Sequence, residues 1–381
     1  MRIIPIASGK GGVGKSLISA NLAVAFAQAG QRVVVADLDL GASNLHLVLG
    51  YQAPQKGIGT FLNNTRSNFA DVICETGVPN LRFIPGDTEI PGMANLKAFQ
   101  LKALVKRFIA LHESTDILIL DLGAGTHQSI LDFFLLSSQG IVVASPAVTA
   151  VLNAYVFLKN TTFRLMHTTF PPKSDALRHL EKMRSSGAGP QRQYIPRILS
   201  EIESVDPAAA GAFRSRLEKL RPRLIVNMMD EPKDAEVAMK IRRSCEEYLG
   251  LQIEHLGIMY RDSLQDVALA SRLPIVLYKP QSILAQAVYR MADKILQSDY
   301  DLALPGDREI ECSFQEAEAE AGIDFESRME YLEELLHSGA LSQGDLIETI
   351  KSQQFEISKL KKENSFIKMK LSKAAQQGFS L

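Results

Sequence analysis

Compact apolar runs recur along the chain, and between them lie longer stretches whose apolar positions follow helical spacing. The first run covers residues 3–7. A glycine-rich loop follows at 8–16, helical periodicity fills 17–29, Gly30 ends it, and a β-branched run occupies 32–36. Residues 117–120, 140–144 and 223–226 read as further buried strands, with 253–258 and 275–277 as weaker ones. The stronger runs do not alternate with polar residues, so each is expected to be covered on both faces. Such strands alternating with helices predict an α/β chain built on a mostly parallel, twisted sheet flanked by helices.

Two stretches break the pattern. From about 166 to 222 the chain turns polar, passing through Pro171-Pro172 and Ser186-Gly187-Ala188-Gly189-Pro190. This predicts a mainly helical insertion with a flexible loop between its helices. After Pro305-Gly306 an acidic stretch at 309–334, with Glu316, Glu318 and Glu320, is expected to be a solvated linker. From Leu346 a heptad begins, with Ile350, Ile357, Asn364 and Leu371 at a, and Leu346, Gln353, Leu360 and Ile367 at d. Glu356 and Glu363 at g face Lys361 and Lys368 at the next e, the spacing of interchain ion pairs in a parallel dimer. The same segment, with Phe366, Ile367 and Met369 among lysines, also suits an amphipathic helix on a membrane surface, and both readings stay open. The expected organisation is a domain at 1–300 that includes the insertion, a linker or helical segment at 301–345, and a coiled coil or amphipathic helix at 346–376.

With 381 residues, 46% hydrophobic and 22% charged, the chain has the balance of a globular protein. Lys and Arg (42) nearly cancel Asp and Glu (43), so overall charge makes no case for a nucleic-acid binder. Any basic surface is local, and Arg192, Arg197, Arg214, Arg216 and Arg221 of the insertion read first as a solvated helical face. Cys74, Cys245 and Cys312 lie far apart with no C-x-x-C pair, which excludes a zinc ribbon, a four-Cys iron–sulfur site within the chain and a disulfide framework. No apolar stretch approaches the roughly 20 residues that span a bilayer. Residues after Met1-Arg2 lack a signal-peptide layout. The expected location is the cytoplasm, with peripheral contact at the inner face of the membrane left open by the tail.

Gly9-Lys10-Gly11-Gly12-Val13-Gly14-Lys15-Ser16 fits G-x-x-x-x-G-K-[ST] directly after a strand and at the opening of a helix. Backbone N–H groups of Gly11, Gly12, Val13 and Gly14 can converge on a polyphosphate there, and the helix adds the positive end of its dipole. In this pattern Lys15 reaches the β- and γ-phosphates and the Ser16 hydroxyl ligates Mg²⁺. The expected fold class is therefore a P-loop NTPase that holds a nucleoside polyphosphate with Mg²⁺.

A second lysine, Lys10, stands five residues before the first with Gly11-Gly12 between, and in this the sequence resembles the deviant Walker A of MinD/ParA P-loop ATPases. The resemblance implies that the nucleotide is ATP, and that Lys10 crosses an ATP-dependent homodimer interface and contacts phosphate bound to the other subunit. Residues 37–45 resemble the family's switch I, in which Asp39 would orient the attacking water while Asp37 supports Mg²⁺ and its waters. Asp121, at the end of a buried apolar run, has the Walker B arrangement. Asp121-Leu122-Gly123-Ala124-Gly125 is similar to switch II, so Ser16, Asp37, Asp39 and Asp121 are the expected metal set, partly through water. Asn227 ends the 223–226 run where the family places the asparagine that reads adenine. His127 is read as a surface or packing residue. Residues 258–262, 268–274 and 279–282 match the family's final strand, helix and proline turn, and the resemblance covers about 1–165 and 222–296.

Within the family, iron-protein and Mrp-type members need cysteine ligands that are missing here, and the related tyrosine kinases need a tyrosine cluster that the tail lacks after Tyr331. The stretch from Gly123 to Leu158 looks most like MinD and the FlhG-type (FleN/YlxH) regulators of flagellar number. FlhG proteins usually carry an N-terminal extension that stimulates a GTPase partner, whereas this chain opens on its first strand. The implied function is a slow, partner-stimulated ATPase switch that sets the place or number of flagella or of the division site. Its expected partners are a second copy and a flagellar GTPase or division or partition factor. A ParA-like DNA-partition ATPase and a nucleotide-stabilised scaffold acting through its tail are the alternatives.

Overall fold

The computed structural model describes residues 1–40, 42–51, 56–64, 68–86, 96–185, 194–298 and 307–337. The loop expected near 186–190 and the heptad segment from Leu346 lie outside them. A first compact unit covers Met1–Phe325 and a second covers Glu326–Leu381.

The first unit opens with β1 (Arg2–Ser8), α1 (Lys15–Gln28), β2 (Val33–Leu38), α2 (Leu45–Val48), α3 (Ile58–Asn63), β3 (Cys74–Glu75), β4 (Leu81–Ile84) and α4 (Ala98–Ala110). It continues with β5 (Ile117–Ala124), α5 (Gln128–Phe134), β6 (Ile141–Ala144) and the long α6 (Val148–Thr169). The insertion supplies α7 (Asp175–Ser185), α8 (Ile195–Val205) and α9 (Pro207–Lys219). Then come β7 (Arg223–Met229), α10 (Glu236–Leu249), β8 (Glu254–Tyr260), α11 (Leu264–Ala270), α12 (Ile275–Tyr278), α13 (Ile283–Gln297) and, up to Phe325, the first part of α14 (Asp307–His337).

Among the described residues the strands form one eight-stranded sheet in the order β3-β4-β2-β5-β1-β6-β7-β8. Only the β3–β4 pair is antiparallel. Because side chains alternate across a strand, each apolar run feeds two cores. Ile4, Ile6, Val33, Val35, Ile117 and Ile119 pack on the face of α1 and α13. Val34, Ala36, Leu118 and Leu120 pack on the opposite face with α4, α5, α6 and α10. Residue by residue, this is why the runs carry no polar alternation. The carboxyl ends of β1, β2, β5 and β7 share one edge of the sheet, where open α/β folds place their ligands.

The insertion belongs to the same core. Ile195, Ile198, Leu199, Ile202, Phe213 and Leu217 are buried in the cluster that holds α6 and α10. Two of its arginines are engaged by neighbouring acids: Arg197 Nε lies 3.1 Å from Glu201 Oε1, and Arg214 forms a two-point pair with Glu203, while Arg216 donates to Thr169 Oγ1 at 3.0 Å and Arg192 lies outside the described residues.

Two expectations need correction, and two strands go beyond them. Residues 275–277 form part of a short helix, α12, begun by Pro274, whose fixed φ suits a helix entrance. Strands β3 and β4, at one end of the sheet, lie outside the apolar runs that the sequence pattern marks. The acidic stretch is no free linker: it lies in α14, whose Ile310, Phe314, Ala317 and Ala321 recur every three or four residues and are buried. Ser313 Oγ accepts from the backbone N–H of His255 at 3.1 Å, and Tyr260 Oη donates to the Ala321 carbonyl at 2.9 Å. Glu320 meets Lys294 at 2.9 Å, Asp324 pairs with Arg290, and Arg242 pairs with Glu311. This part of α14 covers β8, the terminal strand, and meets an edge N–H that would otherwise be free to recruit another strand.

Candidate functional site

The phosphate loop leaves β1 at Ser8, whose hydroxyl donates to the Lys10 carbonyl at 2.9 Å. A side chain at Gly9 would stand 1.9 Å from the Asn153 carbonyl oxygen, so glycine lets the loop lie directly on the backbone of α6. Gly14 has φ +86°, and a side chain there would fall 2.2 Å from Asn227 Nδ2. Side chains added at Gly11 or Gly12 would meet nothing within 4 Å, so the mouth of the loop is open. Gly14 is the N-cap of α1, yet no side chain caps the helix and its first turn holds no acid. The orphan N–H groups and the positive dipole end therefore face an anion-ready space.

Lys15, at the first position of α1, is buried, and its Nζ lies 2.7 Å from Asp121 Oδ1 and 3.5 Å from Ser16 Oγ. Ser16 is half-buried beside it. Asp121 Oδ1 also accepts from Ser19 Oγ at 2.9 Å, while Oδ2 is buried with no partner. An unbonded carboxylate oxygen in a dry site is costly, and a cation's water shell would satisfy it.

Asp37 is the register neighbour of Asp121 across β2 and β5. It is fully buried, taking the Asp39 N–H on Oδ1 and both Ser43 Oγ (2.6 Å) and the Leu45 N–H (3.1 Å) on Oδ2. These bonds fasten the turn after β2. Burial, and after it the Asp121 charge, push the Asp37 carboxyl up to about 6. Asp39 is half-buried, and its Oδ1 lies 3.2 Å from where a Gly123 side chain would begin, so the chain after β2 meets the end of β5 there. Burial raises its carboxyl above the ordinary range and the nearby Lys15 charge opposes the rise. The Gly125 N–H donates to the Ser8 carbonyl at 3.1 Å, which returns the loop after β5 to the phosphate loop.

Lys10 faces outward. Its Nζ donates to Thr149 Oγ1 at 3.0 Å, at the start of α6. Asn227 is buried against the loop, Nδ2 donating to the Val13 carbonyl at 2.9 Å, and its Oδ1 takes no hydrogen bond among the described residues. His127 is exposed at the entrance of α5. Ser19, Ser43 and Thr149 escaped the sequence reading. Ser19 lies one turn after Lys15 on the same helical face and was findable by spacing. Thr149 is 139 residues from Lys10 and left no local signal.

The residues fit a nucleotide with Mg²⁺. The open glycine mouth suits a polyphosphate, and the orphan Asp121 oxygen suits a hydrated cation. Among the described residues no three His, Cys, Asp or Glu converge as a metal cage.

Fold and site together define a P-loop nucleotide-binding protein. The chain belongs to the CobQ/CobB/MinD/ParA nucleotide-binding domain family, whose description matches residues 4–354. It is similar to the antiactivator FleN of Pseudomonas aeruginosa, 30% identical over 159 residues, covering 42% of this chain and 56% of FleN. The flagellum site-determining protein YlxH of Helicobacter pylori is 33% identical over 161 residues, covering 42% of this chain and 53% of YlxH. The match thus spans about half the length of these relatives. The septum site-determining protein MinD of Pyrococcus horikoshii, solved with Mg-ADP, shares the fold, with a TM-score of 0.53 at 20% identity over 78% of this chain and 96% of that one. Among the described residues no helix is long and apolar enough to cross a membrane.

Proposed function

We propose that this chain is an ATP-binding and ATP-hydrolysing dimerisation switch of the MinD/ParA type, which controls the place or number of a cellular structure, flagella or the division site. The observation that carries the reading is the opposed setting of two lysines from one loop. Lys15 points inward to Asp121, and Lys10 points outward to Thr149 at the rim. That rim also presents Val148, 83% exposed, and Leu152, 59% exposed, an apolar pair that a second subunit would cover.

Each residue has a task in this reading. Backbone N–H groups from Gly11 to Ser16 bind the phosphates, and Lys15 exchanges Asp121 for phosphate oxygens. Bound Mg²⁺ would supply charge neutralisation at the phosphates, held by Ser16 and, through waters, by Asp37, Asp39 and Asp121. Asp39 orients the attacking water. A weakly basic carboxylate suffices there, because positioning and electrostatics provide most of the catalysis in phosphoryl transfer. Lys10 of one subunit reaches the charge developing in the other. The free Oδ1 of Asn227 would accept from the adenine amine.

The name of YlxH, a flagellum site-determining protein, favours a flagellar output. The proposed protein partner is a flagellar GTPase, with division or partition factors as the other partner class. DNA is the weaker alternative, since Arg197 and Arg214 are engaged by acids. Cytoplasmic placement completes the proposal, with coiled coil and membrane-surface helix as the two readings of the tail. Phosphate release from MgATP by the wild-type chain, lost in Asp39→Ala and in Lys10→Ala, tests it. A chain that neither binds nor cleaves ATP would refute it.

A further inference from the structure

Met228 has φ +60°, a left-handed backbone that glycine, asparagine and aspartate adopt readily and methionine does not. It sits in a β-bulge. Val226 pairs with Ile258 and Met229 with Tyr260, so β7 spends one residue more than β8 between those two pairs. Bulges bend a strand and re-aim side chains beside functional sites. Here the bulge holds Asn227 and Met228, and both lie against the phosphate loop. Asn227 Nδ2 bonds the Val13 carbonyl, and Met228 Cε stands 3.7 Å from where a Gly14 side chain would begin.

The backbone turn alone does not call for methionine. A glycine at residue 228 would make the same turn without strain. The strain persists with a long thioether in place, and that side chain is half-buried beside Gly14, facing the loop on one side and solvent on the other. A polarisable sulfur with an unbranched stem suits contact with the face of a flat aromatic ring. Beside it, Asn227 keeps an unbonded carbonyl oxygen for a donor on that ring's edge.

The geometry points to Met228 as a specificity-determining residue of the nucleoside subsite: the bulge sets its thioether as an apolar wall for a purine whose amine is met by Asn227. This rests on the nucleotide reading above and adds to it a residue that contacts the base and not the phosphates. The strained backbone is maintained because it presents that side chain, as strain held at a ligand site commonly does.

The test separates base from phosphate. Binding of MgATP and of inorganic tripolyphosphate with Mg²⁺ is measured by calorimetry on the full chain, for the wild type, Met228→Gly and Met228→Asn. Both substitutions accept the left-handed turn and remove the thioether. The expected result is a loss of about five- to tenfold for ATP, the scale of a sulfur–aromatic contact, with tripolyphosphate unchanged. Thermal melts without ligand should show Met228→Gly at or above the wild type. Lys173→Gly, which relieves another left-handed residue in the turn after α6, serves as a control and should leave ATP affinity unaltered. Wild-type affinity for ATP in both Met228 variants would overturn the inference, as would equal losses for ATP and tripolyphosphate, which would mean that the bulge only props the loop. Wild-type protein that binds neither ligand would sink the nucleotide reading itself.

Discussion

Lys15 and Asp121 hold each other across 106 residues, Nζ 2.7 Å from Oδ1, with the second Asp121 oxygen left bare. The pair keeps two buried charges neutralised at the joint of α1 and β5. In the proposed cycle, phosphate draws the lysine away and frees the carboxylate.

Replacing that lysine should therefore act twice. Lys15→Ala removes the cation that meets phosphate and strands Asp121 as a buried charge. Calorimetry should find no nucleotide binding. Urea unfolding of the ligand-free chain should show a loss of about 3 kcal/mol, the cost of breaking a buried pair from one side. Binding near the wild-type level would contradict the role given to Lys15.

Gly9 should tolerate nothing larger. In Gly9→Ala the new methyl would start 1.9 Å from a backbone oxygen of α6, and neither backbone yields cheaply. A stability loss of about 1–3 kcal/mol is expected, as for overpacked cores, together with weaker ATP binding. An unchanged melting curve would show that the loop and α6 are not packed as described.

The histidine under α14 predicts an acid-sensitive seam. His255 is buried against Phe314 with neither ring nitrogen in a well-formed hydrogen bond, and burial first, then the Lys294 charge, outweigh the Gly257 backbone nearby and bring it from 6.5 down to about 3. The unfolded chain takes up this proton below about pH 6.5, and the folded chain only near 3. Stability should fall across that window, by about 1.4 kcal/mol per pH unit at most from this group. Urea midpoints of His255→Leu should decline less between pH 6.5 and 4.5 than those of the wild type. Parallel declines would rule the histidine out.

The seam itself should matter to the fold. Phe314→Ala empties a site between His255 and Arg242, whose guanidinium lies 4.9 Å from the ring centre. A cost of about 3 kcal/mol or more is expected in urea unfolding, with a tendency to associate through the uncovered β8 edge. A freely solvated α14 would give no change.

The central strands were legible because each apolar run is buried on two faces, as Ile117, Leu118, Ile119 and Leu120 show by dividing between the two cores. Strands β3 and β4 were not. Leu81–Ile84 carries Arg82 among its apolar residues, and Cys74–Glu75 is two residues long, so neither leaves a run to detect. In α14 the acidic composition hid a stripe at 310, 314, 317 and 321 that spacing alone could have revealed. The phosphate loop was legible because its partners are neighbours in sequence. The Lys10–Thr149 and Asn227–Val13 contacts join residues 139 and 214 apart, and only folding brings them together.

Subunit pairing through Lys10 can be weighed directly. Light scattering on the full-length Asp39→Ala chain, with and without MgATP, should show the mass doubling only with nucleotide, and the Lys10→Ala, Asp39→Ala double variant should stay at the lower mass. A mass that ignores MgATP, or a double variant that pairs as readily as Asp39→Ala, would contradict it.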